Sequence, residues 1–126
     1  MKFGIEHIAI FAKDTKALSD WYKDLFDGEV VYDNGKGTYF IAFSDKSMIE
    51  FCTAADENVP TETNVAGIRH IAISVDDFDA AVAKITATGA PVVTEASVNA
   101  KGIGTMFFRD PEGNILHIIS RPEPLV

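Results

Sequence analysis

Residues 4–10 read Gly-Ile-Glu-His-Ile-Ala-Ile, and residues 67–73 read Gly-Ile-Arg-His-Ile-Ala-Ile. Six of the seven positions are identical, and the one difference is Glu6 against Arg69. The copies are 63 residues apart (70 − 7), which is half of the 126-residue chain. A self-match at a fixed period indicates a duplicated structural unit. The sequence therefore predicts two tandem modules built to one plan.

The repeat continues beyond this heptad, with four extra residues in the second copy, where the offset becomes 67. At that offset Phe40 aligns with Phe107, and residues 35, 37 and 38 align with residues 102, 104 and 105. Residues 48–52 align with residues 115–119, so Glu50 pairs with His117. Because His7 also pairs with His70, four potential metal ligands occupy two pairs of equivalent positions.

The composition narrows the class of protein. The length suits one compact domain or two small modules with a shared core, and no apolar run approaches the roughly 20 residues of a membrane span. The net charge of −8 argues against nucleic acid and anionic membranes as partners, since both need a basic surface. The start of the chain lacks a signal-peptide pattern, and Cys52 is the single cysteine. We therefore expect a cytoplasmic protein without a disulfide.

Each half of the chain has the pattern β-α-β-β-β. Module one is predicted over residues 4–53, with strands at 5–11, 29–32, 38–43 and 48–53 and a helix between Asp14-Thr15 and Asp27-Gly28. Residues 54–66 are polar and contain Pro60, so they are interpreted as a linker. Module two is predicted over residues 67–121, with strands at 68–75, 92–95, 105–109 and 115–120 and a helix from Asp76 or Asp77 to about Thr88.

Strand alternation predicts that His7 and His70 lie on sheet faces that also carry small side chains. Successive side chains of a strand point to opposite faces. His7 shares its face with Ala9, and His70 shares its face with Ala72 and Ser74. Small residues beside a polar one leave room for a metal and a ligand.

Four segments resemble one known family. They are residues 7–10, 21–26, 70–77 and 108–114, the last of which is the turn Phe-Arg-Asp-Pro-Glu-Gly-Asn. From Ile5 to about Arg121 the chain resembles the vicinal oxygen chelate superfamily, which holds glyoxalase I, methylmalonyl-CoA epimerase, extradiol dioxygenases, and fosfomycin- and bleomycin-resistance proteins. The resemblance implies an α+β fold, in which two tandem β-α-β-β-β modules form a curved mixed sheet around a metal site. It also implies a single domain over residues 1–126 and a homodimer, with modules paired within or between chains.

Carried over position by position, the resemblance implies the metal ligands His7, Glu50, His70 and His117. All three histidines of the chain belong to this set. A nitrogen-rich set favours Zn, Ni, Fe or Co, with Mn as a further option, over Mg or Ca. His117 departs from bacterial-type glyoxalase I, which would have a Glu there. The alternative interpretation is a metal-free cluster of His and Glu in a binding cavity.

The resemblance and the ligand set together suggest three functions. Four protein ligands on a six-coordinate ion leave two adjacent positions for a substrate with neighbouring oxygens. The metal would act as a Lewis acid that stabilises an enediolate, with Glu50 as the general base. We expect a glyoxalase I-like lyase or isomerase. The alternatives are an Fe(II) extradiol-type dioxygenase that uses His7, His70 and Glu50, and a non-catalytic resistance-type protein that binds a small molecule.

Other residues have weaker claims to function. Arg109 could bind a substrate carboxylate, although a role in the adjacent turn is the plainer interpretation. Cys52 is interpreted as a packed thiol rather than a nucleophile. Gly102 and Gly104 could form a mobile lip of the pocket or serve turn geometry alone. The aromatic residues of the first helix are expected to pack in the core: Trp21, Tyr22 and Phe26.

Overall fold

The computed structural model describes residues 1–2, 4–56 and 66–126. The chain divides into two compact units, Met1–Asn58 and Val59–Val126, called here the first and second units. The first unit contains β1 (His7–Ala12), α1 (Thr15–Leu25), β2 (Glu29–Asp33), β3 (Tyr39–Ala42) and β4 (Met48–Thr53). The second unit contains β5 (Ile71–Ser74), α2 (Phe78–Ala87), β6 (Val92–Val98), β7 (Gly104–Arg109) and β8 (Ile115–Ser120). Most of the predicted linker, residues 57–65, lies outside the described residues.

Each unit forms a mixed four-stranded sheet. The strand order is β1-β4-β3-β2 in the first unit and β5-β8-β7-β6 in the second. The first and last strands of each unit pair in parallel, and the other neighbours are antiparallel. The predicted α+β fold with two tandem β-α-β-β-β modules is confirmed. None of the described helices is long and apolar enough to cross a membrane.

The helix of each unit covers one face of its sheet. In the first unit Tyr22 of α1 is fully buried, and its ring lies 5.1 Å from that of Phe51 on β4. In the second unit α2 contacts β8, where Leu116 and Ile118 are fully buried. Because strand residues alternate between faces, Glu50 and His117 project from the opposite face. The helices therefore leave the face of the candidate ligands uncovered within each unit.

Three strand boundaries differ from prediction by more than one residue. β1 and β5 begin at His7 and Ile71, because their pairing with the parallel neighbour begins there, opposite Met48 and Leu116. The residues predicted to start these strands are exposed, with Ile5 at 86% and Ile68 at 94% of their accessible surface. Hydrophobicity alone extended both predicted strands too far. β6 is longer than predicted and ends at Val98.

The four extra residues of the second copy lengthen the β6–β7 hairpin by two residues in each strand. In each unit an Asn closes the hairpin loop. The Asn34 side chain accepts hydrogen bonds from the backbone N–H groups of residues 36 and 38, and the Asn99 side chain accepts from those of residues 101 and 103. The loops thus match at an offset of 65 (99 − 34), so the glycine alignment at 67 is wrong by two positions. β6 and β7 each exceed β2 and β3 by two residues. An even extension preserves which face each side chain occupies.

The helix ends confirm the predicted N-caps but revise the role of one glycine. Asp14 and Asp77 cap the two helices by accepting a hydrogen bond from the backbone N–H three residues later. After α2, Gly89 has a left-handed conformation, with φ of +73°. After α1, Asp27 takes that conformation instead, with φ of 52°. Gly28 is needed for space, because a Cβ there would lie 2.6 Å from Cγ2 of Ile41.

The different roles of Asp27 and Gly28 predict that substitution lowers the free energy of unfolding at Gly28 but changes it little at Asp27. Gly28→Ala is expected to lower the free energy of unfolding by about 1–3 kcal/mol, because the added methyl overpacks the contact with Ile41. Asp27→Gly is expected to stay within about 1 kcal/mol of the wild type, because glycine adopts a positive φ freely while gaining entropy in the unfolded chain. Urea unfolding of both variants measures the contrast. Equal stability of Gly28→Ala and the wild type would contradict it.

Candidate functional site

The first unit brings together the predicted ligands His7 and Glu50. Glu50 lies on the central strand β4, opposite Ala9 of β1 and Phe40 of β3. His7 precedes Ala9 by two residues and therefore shares its face. The small side chain of Ala9 leaves space beside Glu50. As a result, Nε2 of His7 lies 3.7 Å from Oε1 of Glu50.

The His7 ring is oriented by two further neighbours. Its Nδ1–H donates to Oε1 of Glu6 at 2.9 Å. Its ring meets the ring of Phe40 edge-on, with 5.3 Å between the centroids. A carboxylate on Nδ1 leaves Nε2 as the free lone pair, which is the usual arrangement for a metal-binding histidine.

The second unit brings together the predicted ligands His70 and His117. His117 lies on the central strand β8, opposite Ala72 of β5 and Phe107 of β7. His70 stands just before β5 rather than within it, which corrects the predicted strand start. The two imidazole rings are nearly perpendicular, and their centroids are 5.3 Å apart.

His117 is buried without a hydrogen-bond partner. Only 8% of its accessible surface is exposed, and neither ring nitrogen has a partner among the described residues. Phe107 stacks on the ring at 4.0 Å with an interplanar angle of 8°. Leaving a buried polar group unsatisfied costs about 1–3 kcal/mol. His117 therefore retains hydrogen-bonding capacity that no described residue uses.

Arg69 occupies the position in the second unit that Glu6 has in the first. Its Nη1–H donates to Nδ1 of His70 at 3.2 Å. Its guanidinium carbon also lies 4.7 Å from the centroid of the Phe107 ring. Arg69, Phe107 and His117 thus form a continuous layer of planar groups beside His70.

Both histidines of the second unit are held in the neutral form. Burial, followed by the charge of Arg69, lowers the pKa of His70 below its ordinary value. Burial also lowers the pKa of His117, with further contributions from His70, Arg69 and Arg121. Since protonation is disfavoured in each case, both rings are neutral near pH 7. Neutral imidazole is the form that binds metals.

Cys52 lies on the same face of β4 as Glu50. Burial raises the pKa of the Cys52 thiol, and so do the charge of Glu50 and the hydrogen bond between the two side chains. The thiol therefore stays protonated at neutral pH, which argues against the nucleophile and for the predicted packed thiol. Its hydrogen bond to Glu50 was not predicted.

The distance between His7 and Glu50 is compatible with a shared transition-metal ion. A nitrogen or oxygen ligand binds such an ion at about 2.1 Å, so two ligand atoms of one ion lie at most about 4.2 Å apart. The 3.7 Å between Nε2 of His7 and Oε1 of Glu50 is within that limit and is too long for a hydrogen bond. Across residues 1–2, 4–56 and 66–126, no three or more His, Cys, Asp or Glu residues are grouped to hold a metal. The four predicted ligands are divided as one pair in each unit.

The remaining candidates have structural contacts. Arg109 donates from Nη1 to the carbonyl of Gly113 at 2.8 Å, within the turn that joins β7 and β8. A Cβ at Gly102 would lie 2.9 Å from Pro122, and one at Gly104 would lie 2.8 Å from the ring of Phe78. These contacts support the turn interpretation of Arg109 and a packing role for both glycines.

Sequence reasoning missed the neighbours that orient the histidines. Phe40 and Phe107 were matched as repeat partners, but no role was assigned to them. The exchange of Glu6 for Arg69 is the single difference within the heptad. That difference was the available signal, because each side chain directly precedes a candidate ligand.

Comparison with known proteins decides the family. The profile of the Glyoxalase/Bleomycin resistance protein/Dioxygenase superfamily matches residues 4–118. The chain belongs to this superfamily. The resemblance inferred from the sequence motifs is thereby confirmed.

Individual superfamily members differ in their assigned activities. The chain is 32% identical over 117 residues to the uncharacterized protein YaeR of Escherichia coli K12, covering 86% of this chain and 89% of that protein. It is 24% identical to biphenyl-2,3-diol 1,2-dioxygenase 2 of Rhodococcus globerulus, covering 89% of this chain but 60% of that protein. The crystal structure of lactoylglutathione lyase from Agrobacterium tumefaciens superposes with a TM-score of 0.69 at 24% identity, over 93% of this chain and 92% of that one. The similarity to lactoylglutathione lyase shows a shared fold and nothing further.

Proposed function

We propose that the chain is a metal-dependent, glyoxalase-like lyase or isomerase that acts on a small substrate with two neighbouring oxygens. The observation that carries this proposal is His117, a buried and neutral imidazole with two unpartnered nitrogens beside His70. Membership of a superfamily that includes glyoxalases supports it. So does the pairing of His7 with Glu50 at the equivalent positions of the first unit.

The ligands proposed for the metal are His7, Glu50, His70 and His117. With three nitrogens and one carboxylate, they favour Zn, Ni, Fe, Co or Mn. When bound, such an ion supplies Lewis acidity, which makes a carbon acid easier to deprotonate and stabilises an enediolate. The pairs are proposed to serve one site, drawn either from one chain or from two chains of a homodimer.

Glu50 is proposed as the general base. Its carboxylate projects from the face not covered by α1, and 24% of its side chain is exposed, so a substrate could reach it. Cys52 follows it by two residues on the same face of β4, and the charge of Glu50 contributes to the raised pKa of the Cys52 thiol. His7 lies on the opposite side at 3.7 Å and retains a free lone pair at Nε2. We further propose that the two units act as one domain in a cytoplasmic protein.

Two other functions are supported by the superfamily. The similarity to biphenyl-2,3-diol 1,2-dioxygenase 2 supports an Fe(II) extradiol-type dioxygenase with His7, His70 and Glu50 as ligands. The resistance proteins named in the superfamily support a module that binds a small molecule without catalysis. In that case the orphaned nitrogens of His117 would hydrogen-bond the bound molecule.

Metal content and substrate chemistry distinguish these functions. We expect about one ion per chain after the metal-stripped protein is reloaded with Ni, Zn, Fe or Mn. The loaded protein is expected to exchange the α-proton of hydroxycarbonyl compounds with deuterated water, measured by NMR. Glu50→Gln, which keeps the size of the side chain, is expected to slow that exchange by about 10²–10⁴-fold. Oxygen consumption with catechols would support the dioxygenase instead. If none of the four ions binds, the metalloenzyme proposal fails.

A further inference from the structure

The two copies of the heptad differ at one residue, and that residue contacts the imidazole that follows it. In the first unit, the Glu6 carboxylate lies 2.9 Å from Nδ1 of His7. In the second unit, the Arg69 guanidinium lies 3.2 Å from Nδ1 of His70. A carboxylate offers hydrogen-bond acceptors, whereas a guanidinium offers donors alone. The same ring nitrogen therefore meets opposite partners in the two units.

We propose that Glu6 and Arg69 are positioning residues that hold His7 and His70 in opposite imidazole tautomers. A neutral imidazole carries one proton, on either Nδ1 or Nε2. Next to Glu6, the proton of His7 resides on Nδ1, and Nε2 presents a lone pair. Next to Arg69, Nδ1 of His70 must accept, so the proton resides on Nε2.

The aromatic neighbour of each histidine is matched, but Nε2 of His7 faces Glu50 at 3.7 Å, whereas His70 lies beside His117. The His7 ring meets Phe40 edge-on at 5.3 Å, and the His70 ring meets Phe107 edge-on at 5.2 Å. Phe40 and Phe107 have no group that could accept the imidazole proton or donate one to the imidazole. The 3.7 Å between Nε2 of His7 and Glu50 is too long for a hydrogen bond, so the partner of Nδ1 is the contact that decides the tautomer.

Arg69 is also held in place independently of His70. Its guanidinium lies over the Phe107 ring, and Phe107 is stacked in turn on His117. An arginine stacked on an aromatic ring keeps its N–H groups at the edge of the guanidinium, where they are available to donate. The Arg69 guanidinium that donates to His70 is therefore also held by its packing on Phe107.

The consequence for ligand binding deepens, and rests on, the proposed function. His7 is ready to bind a cation through Nε2, whereas Nε2–H of His70 is a donor to an electronegative atom. His70 becomes a ligand through Nε2 only if its proton moves to Nδ1, against the guanidinium. His7 thus favours the metal, and His70 favours an oxygen of the bound substrate until that shift occurs.

Ring ¹⁵N shifts of the metal-free protein test the tautomers directly. The chain has three histidines, so His→Gln variants assign every ring. At about pH 8, well above the ordinary imidazole pKa of roughly 6.5, we expect a protonated Nδ1 in His7 and a protonated Nε2 in His70. Arg69→Lys keeps a donor and is expected to preserve the His70 tautomer. Arg69→Glu, which copies the first unit, is expected to invert it, and Glu6→Arg is expected to invert that of His7.

The outcomes separate this inference from the proposed function. The same tautomer in both histidines, or an unchanged His70 ring in Arg69→Glu, would overturn the inference. In a Zn competition titration of the same variants, Arg69→Glu is expected to tighten binding roughly 10–100-fold and Glu6→Arg to weaken it by a similar factor. If no variant binds metal but the tautomers are as expected, the positioning role stands and the metalloenzyme proposal fails.

Discussion

His117→Phe is expected to weaken metal binding by more than about 100-fold while leaving the metal-free protein at least as stable as the wild type. Loss of an outer-shell partner alone costs about 10–100-fold in metal affinity, so loss of a direct ligand should exceed that range. Phenylalanine keeps the ring that stacks on Phe107 at 4.0 Å. It also removes two buried nitrogens that have no partner among the described residues.

The stability part of this prediction follows from desolvation. A buried polar group without a hydrogen bond costs about 1–3 kcal/mol, and an apolar ring of similar shape avoids that cost. We therefore expect the free energy of unfolding of the metal-free variant to rise by up to that amount. A site that is stabilised when a functional residue is removed is typical of a binding or active site.

His117→Ala is the matched control. It should abolish metal binding as well, but it leaves a cavity next to Phe107 and is expected to destabilise the protein by about 2–4 kcal/mol. Isothermal titration with Zn and Ni, together with urea unfolding in the presence of a chelator, measures both quantities. Normal metal affinity in His117→Phe would show that His117 is not a ligand. A large loss of stability in that variant would show that its nitrogens are satisfied in solution.

Asp110→Ala is expected to lower the free energy of unfolding by about 3 kcal/mol or more. Asp110 is 2% exposed at the start of the turn between β7 and β8. Its Oδ1 accepts from the backbone N–H groups of Glu112 and Asn114, and its Oδ2 accepts from Nδ2 of Asn114. Hydrogen bonds to a charged group contribute about 1.5–3 kcal/mol each, and alanine would leave three donors without this partner.

Asp110→Asn separates the hydrogen bonds from the charge. An amide retains one oxygen that can accept from both backbone N–H groups, so we expect about half of the loss seen with alanine. Urea midpoints of the two variants provide the comparison. If Asp110→Ala unfolds at the wild-type midpoint, the turn does not depend on this side chain. That result would also remove the physical basis for the motif at residues 108–114.

The repeat made most of the fold predictable. Once residues 4–10 were matched to residues 67–73, each element had an independent second copy, and both helices begin at the predicted Asp caps. The errors lie at strand ends, where hydrogen-bond pairing with the neighbouring strand, rather than residue type, decides where a strand begins. Ile5 and Ile68 are β-branched and apolar, but strand pairing begins later, at His7 and Ile71. The length of a strand depends on its neighbour, which local propensity does not report.

The candidate site was predictable in part for a similar reason. Strand alternation predicted that candidate ligands lie on sheet faces beside small side chains, and the structure places His7 beside Glu50 and His70 beside His117. The roles of Glu6 and Arg69 were not predictable, since a charged residue before a strand is usually solvated. Their hydrogen bonds to Nδ1 depend on side-chain direction at the start of each strand.

The sequence by itself determined the duplicated architecture, the superfamily resemblance and the identities of the residues that could bind a metal. These properties depend on periodicity and local chemistry, which a linear pattern records. Tertiary structure alone decided that His117 is buried without a partner among the described residues and that Gly28 is required by contact with Ile41. It also decided that one heptad position gives His7 an acceptor and His70 a donor. Such properties depend on side-chain directions and distances that exist only in the folded chain.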